Sequence, residues 1–110
     1  MQRENATPPR TQGSKQSMER LTFLVNARDR FSTTTQCLET LIANTPQPYD
    51  LIVVMGGAPE HMQRAWMARF GDHAKWIFPP EFLNQAQARN LGLRETTTRL
   101  AVLLDNDAYV

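Results

Sequence analysis

A chain of 110 residues, 41% hydrophobic and 21% charged, suits one small globular domain and excludes a long disordered polymer. Twelve Lys and Arg against eleven Asp and Glu leave a formal net charge of +1, too even for non-specific attachment to nucleic acid or a membrane surface, so an anionic ligand has to be held by local geometry. Cys37 is the one cysteine, which rules out an internal disulfide framework or a multi-cysteine metal centre and fits a reducing, cytoplasmic setting.

Met1 to Arg20 is nearly free of large apolar side chains and rich in Gln, Arg, Ser and Pro, so residues 1–20 are predicted to be a disordered tail. They lack the unbroken apolar stretch of a secretory signal. From Leu21 the pattern alternates short apolar runs with amphipathic segments of helical length. Leu21 to Val25 reads as a strand, ending at Asn26 before the charged loop Ala27-Arg28-Asp29-Arg30. Leu38, Leu41 and Ile42 recur at helical spacing, and that helix stops near Asn44 to Pro48. Leu51 to Met55 is continuously apolar and β-branched in its middle, the mark of a central parallel strand covered on both faces. Gly56-Gly57 ends it.

Met62, Ala65, Trp66 and Phe70 define one face of a second helix, with Gly71 expected as a left-handed cap. Trp76 to Phe78 reads as a short strand halted by Pro79-Pro80, and a third helix is predicted from Asn84 or Gln85 to Arg94. Leu100 to Leu104 is expected to be another buried strand, delivering Asp105-Asn106-Asp107 at its carboxyl end. These units add up to an α/β domain over residues 21–110, a Rossmann-like, mostly parallel sheet flanked by helices. The longest apolar runs fall far short of the roughly 20 residues that cross a bilayer as a helix.

In open α/β sheets ligands gather beyond the carboxyl ends of the strands. Three loops qualify here: Asn26 to Arg30, Met55 to Pro59, and Asp105 to Asp107. If the last stays extended, Asp105 and Asp107 turn to the same side and Asn106 turns away. Two carboxylates about 5 Å apart repel by roughly 3 kcal/mol at an effective dielectric near 20. Such a pair invites a proton or a hard divalent cation bridging carboxylate and phosphate oxygens. Acids after a strand also solvate turns and cap helices, and Asp-x-Asp alone is better taken that way.

Four segments raise the odds by their order. Cys37-Leu38-Glu39-Thr40-Leu41 precedes Asp50-Leu51-Ile52-Val53-Val54; then come Gln87-Ala88-Arg89-Asn90-Leu91-Gly92-Leu93 and Leu103-Leu104-Asp105-Asn106-Asp107. Together, from about Leu21 to Val110, they resemble the family 2 glycosyltransferases: a first helix and second strand, an Ala-Arg-Asn-x-Gly-Leu helix, and a strand ending in Asp-x-Asp. The resemblance implies the nucleotide-sugar-binding half of a GT-A fold. It also implies sugar transfer, with inversion, from a nucleoside-diphosphate-sugar to an acceptor hydroxyl on a glycan, lipid or protein, assisted by manganese or magnesium. By the same likeness Asp107 would bind the metal, and Asp105 would face the ribose or help arrange the ion. Ala27 and Arg28 would lie against the base, and Asn84 would stand at a nucleotide-contacting position. Arg89 matches the helix motif and is equally well read as a structural partner of a nearby carboxylate.

The chain departs from the family where an Asp-Asp-Gly-Ser turn is typical and it has Met55-Gly56-Gly57-Ala58, so Gly56 offers backbone groups and close approach but no acid. Only Arg30 matches the Pro-Thr-Tyr-Asn-Arg common in the first loop. The family's general base is expected downstream of Val110, so no catalytic residue is assigned within the chain. An uncovered sheet edge is expected to favour self-association, and an intact enzyme could associate with a membrane. His61 and His73 read as surface or capping residues, Trp66 and Trp76 as core or edge fillers, and Cys37 as a buried inert thiol. The competing functional reading is a non-catalytic α/β module that keeps the fold for binding or assembly.

Overall fold

The computed structural model describes residues 20–27 and 30–107. Strand β1 (Leu21–Asn26) and strand β2 (Tyr49–Val54) pair in parallel at the centre of the sheet. Strand β3 (Lys75–Ile77) pairs with β2, and strand β4 (Ala101–Asp105) pairs with β1, giving the order β3-β2-β1-β4. Between them run helices α1 (Thr34–Asn44), α2 (Glu60–Phe70) and α3 (Gln85–Arg94).

Alternation along β1 and β2 sends side chains to two opposite cores. Val25, Leu51 and Val53 pack with Cys37, Leu38 and Leu41 of α1 and with Trp66 and Phe70 of α2. Leu24, Ile52 and Val54 face the other way, onto Ala88 of α3. Trp66 lies nearly parallel to Trp76 and Phe78, with ring centroids 6.0 and 6.3 Å away, so the aromatic residues fill the space between α2 and the β3 edge. Among the described residues no helix is long and apolar enough to cross a membrane.

Three expectations need correction. The strand at Leu100 to Leu104 is not buried: Leu100, Val102 and Leu103 are 57%, 39% and 40% exposed. Apolarity signalled a strand, but β4 is an edge strand, and α3 packs over β1 and β2 instead. Gly71 is not a left-handed cap, because its φ of −52° and ψ of −39° continue the right-handed path into a 3-10 turn, Gly71–His73. The third strand starts one residue earlier than predicted, at Lys75, whose exposed side chain gave no apolar signal.

Cys37 is fully buried, and burial pushes its thiol up to about 11, with the negative charge of Asp107 adding to the effect. At pH 8 the thiolate fraction is then lower than that of an ordinary thiol by about 100-fold. Alkylation of the folded chain by iodoacetamide is expected to be slower by at least that factor, and to reach the free-thiol rate once urea unfolds the protein. The folded value exceeds the unfolded one, so this stabilisation is complete below pH 9 and is lost as the pH rises toward 11.

Candidate functional site

The parallel register sets Asn26, the last residue of β1, opposite Asp105, the last residue of β4. Above them α3 contributes two side chains from successive turns, Gln85 and Arg89. Asp105 Oδ1 accepts from Asn26 Nδ2 at 3.2 Å and from Arg89 Nη2 at 3.1 Å, while its Oδ2 accepts from Gln85 Nε2 at 3.1 Å. Arg89 Nε reaches back to Asn26 Oδ1 at 3.4 Å. The carboxylate is thus held by three side-chain donors, one of which, Arg89, brings a fixed positive charge.

Two features of α3 make this possible. Its start is set by Asn84, whose Oδ1 accepts from the Gln87 backbone N–H at 2.8 Å while Gln87 Oε1 accepts from the Asn84 N–H at 3.1 Å, a reciprocal capping box. Its distance from the sheet is set by Gly92, where an added Cβ would sit 2.7 Å from Leu24 Cγ and 2.9 Å from Leu24 Cδ2. Only a residue without a side chain lets the helix come this close.

The expected geometry of Asp-Asn-Asp is not what forms. After Asp105 the chain leaves the strand and enters a turn at Asn106 and Asp107, so the pleat that would align the two acids ends between them. Asn106 does turn to the face opposite Asp105, toward α1, where it is 1% exposed. Its N–H donates to Asn26 O at 2.8 Å, and its Nδ2 donates to Arg30 O at 2.5 Å and to Thr34 Oγ1 at 3.1 Å. The physical reason is a local competition: the amide at 106 finds acceptors at Arg30 and at Thr34, the start of α1, and these outweigh continued extension. Asp107 is exposed, and its charge acts on Cys37 in α1. The like-charge argument changes accordingly, since Arg89 balances Asp105 directly.

The other residues named from sequence fall as follows. Ala27 is buried and its carbonyl accepts from Asn26 Nδ2 at 3.2 Å. Arg28 lies outside the described residues. The close approach admitted by Gly56 is taken by the chain itself, since a Cβ there would sit 2.6 Å from Glu81 O. Gly57, at φ 73°, donates its N–H to Pro79 O at 2.8 Å, so the turn after β2 is clamped under residues 79–83. Asn84 uses its side chain as the helix cap. His61 and His73 are exposed, and no group of three or more metal-ligating side chains occurs among the described residues. A cavity of about 280 Å³ lined by Tyr49, Asp50, His73 and Glu95 opens at the opposite, amino-terminal ends of the strands.

Asn26, Gln85 and Asn106 were missed as site-forming residues. Gln85 stands four residues before Arg89 on one helix, a spacing readable in the sequence. The Asn26–Asp105 pairing depends on strand register and left no local signal.

The comparisons with known proteins agree on one group. The family model for glycosyl transferase family 2 matches residues 22–110. A solved mannosyltransferase from Pyrobaculum calidifontis, in complex with GDP-Man and Mn2+, superposes with a TM-score of 0.70 at 22% identity over 86% of this chain and 29% of its own. S. aureus TarS superposes with a TM-score of 0.66 at 15% identity over 82% of this chain and 17% of its own. A structure of its residues 1-349 gives 0.64 at 15% identity, over 82% of this chain and 28% of its own. The chain therefore spans less than a third of each of these structures. The four-stranded parallel sheet with flanking helices is the fold they share with it. The search of curated proteins found no match.

Proposed function

We propose, from the premise that the chain belongs to glycosyl transferase family 2, that the carboxyl ends of β1, β2 and β4 bind the nucleoside diphosphate of a sugar donor. The observation that carries this reading is the division between the two acids. Asp105 is neutralised and immobilised by Arg89, Gln85 and Asn26, whereas Asp107 stands exposed one turn beyond the strand. An immobile carboxylate suits orientation of the ribose, and Asp107 suits a cation.

The donor set fits manganese or magnesium. Hard ions of this kind take oxygen ligands and are commonly held by one or two carboxylates together with substrate phosphates. Asp107 would hold the ion, and Asp105 would keep the turn beneath it in place. When bound, the ion offsets the charge of the leaving diphosphate. The Mn2+ and GDP-Man of the Pyrobaculum mannosyltransferase support the assignment. Transfer with inversion also needs a base to take the acceptor hydroxyl's proton. Among the described residues we assign that role to none, and the acceptor is a glycan, lipid or protein hydroxyl.

Calorimetric titration with guanosine and uridine diphosphates, with and without manganese, tests the proposal. Manganese-dependent binding is expected for at least one nucleotide, weakened at least about 10-fold in Asp107→Ala, equivalent to about 1.4 kcal/mol. Absence of binding in every combination supports the non-catalytic module instead.

Self-association through β4 belongs to the same proposal. Its outer edge carries Val102 and Leu103 exposed on alternate faces, with no charge or proline from Ala101 to Leu104. Sedimentation velocity is expected to show a concentration-dependent dimer that Leu103→Lys shifts toward monomer. Identical profiles for the two proteins would remove β4 as the interface.

A further inference from the structure

Asn106 has the least exposed side chain of the Asp105-Asn106-Asp107 segment, and its polar groups bind three separate pieces of chain. Its backbone N–H continues the ladder to Asn26 O at 2.8 Å, at the end of β1. Its side-chain amide donates to Arg30 O at 2.5 Å, where the loop after β1 rejoins the described structure, and to Thr34 Oγ1 at 3.1 Å, the first residue of α1. Thr34 is itself fully buried, and its hydroxyl is directed at Met55 Sδ, 3.6 Å away at the end of β2. One residue thus connects the carboxyl ends of β1 and β4 with the start of α1, and through Thr34 reaches the end of β2.

From this placement we infer that Asn106 is a positioning residue: its amide fixes the turn that carries Asp107 and so sets where Asp107 meets the cation of the donor complex. The inference rests on the nucleotide-binding reading above and extends it to a residue that contacts neither metal nor nucleotide. A buried amide whose two donor bonds go to a carbonyl and a hydroxyl has little freedom to rotate, because either bond lost leaves a polar group buried without compensation. The backbone of 106 is pinned at the same time by its bond to Asn26 O. Asp107 therefore leaves an anchored residue and does not extend from a free loop. Placement of a first ligand by such supporting hydrogen bonds typically governs metal affinity by 10–100-fold.

Asn106→Asp separates positioning from charge. The substitution keeps the shape of the side chain, removes the N–H donors and sets an acceptor against Arg30 O. It also adds a negative charge one residue from Asp107, which by itself would tighten cation binding. Manganese affinity is measured by titration in the presence of whichever of guanosine and uridine diphosphate the unaltered chain binds. The temperature is kept well below the melting transition, and a metal-free arm is run in parallel. Positioning requires Asn106→Asp to weaken manganese-dependent binding at least 10-fold and to leave metal-free nucleotide binding within about twofold. A residue that served stability alone would move the melting temperature and leave the manganese affinity of the folded fraction unchanged.

A weakening of less than 10-fold, or tighter binding, overturns the inference and leaves the nucleotide-binding reading intact. No manganese-dependent binding by the unaltered chain overturns both. Where Asn106→Asp does not fold, as judged by circular dichroism, Thr34→Val decides. It removes one acceptor of the amide, and a weakening of about threefold or more supports the role, whereas unchanged affinity overturns it.

Discussion

Gly92→Ala is expected to lower the unfolding free energy by about 2 kcal/mol, although the same exchange at an open helical position would raise it by up to about 1 kcal/mol. The sign follows from what the new methyl group meets. An added Cβ falls 2.7 Å from Leu24 Cγ, and Leu24 is wholly buried at the centre of β1. Interiors packed to crystal density have no slack to absorb such an overlap, so either α3 lifts from the sheet or Leu24 leaves its rotamer. For a domain of this size the cost corresponds to a fall in melting temperature of roughly 8–16 °C. The second step of the experiment is Leu24→Ala. Alone it destabilises by about 2–5 kcal/mol, but in that background Gly92→Ala should become neutral or stabilising, since the methyl then enters vacated space. A melting temperature that rises on Gly92→Ala in the unaltered chain would show that α3 does not rest on Leu24 in this way.

Gly92 also shows why the fold was more legible than the site. The strand at Leu51 was readable because burial on both faces writes itself as an unbroken apolar run, and the one at Leu21 because only Thr22 interrupts its apolar residues. The third helix was readable because its cap residue and its apolar stripe lie close together in sequence. The strand at Leu100 was identified, but its burial was not, since an apolar run cannot reveal whether a neighbour covers it. Gly71 misled because a glycine after a helix permits a left-handed turn without requiring one. The site was harder. Asp105, Asp107 and Arg89 were found as residue types in a recognisable order, but their division of labour depends on Asn26, which is 79 residues distant from Asp105 in sequence. Asn106 was placed on the right face, opposite Asp105 and toward α1, but strand alternation was carried on to Asp107 although a turn replaces the strand after Asp105.

Asp105→Ala is expected to cost about 2–3 kcal/mol of stability, more than Asp107→Ala at the exposed position two residues on. Asp105 receives Asn26, Arg89 and Gln85 together, so its removal leaves three donors to be satisfied and one guanidinium without its counter-charge. The pair is 32% and 20% exposed at Arg89 and Asp105, which places the loss below that of a fully buried ion pair and well above that of a surface one. Asp105→Asn keeps acceptor capacity at Oδ1 and allows the Gln85 amide to rotate, so about half the loss should return. Arg89→Met tests the same contact from the other side: in the Asp105→Ala background it should cost less than in the unaltered chain, because the isolated charge is then absent. Urea unfolding of these variants, with their midpoints compared at constant m, reads all the terms on one scale. If Asp107→Ala proved the more destabilising and Asp105→Ala nearly silent, the roles of the two acids would be reversed. Orientation of the donor would then rest on Asp107, and Asp105 would have to leave Arg89 before it could meet a cation.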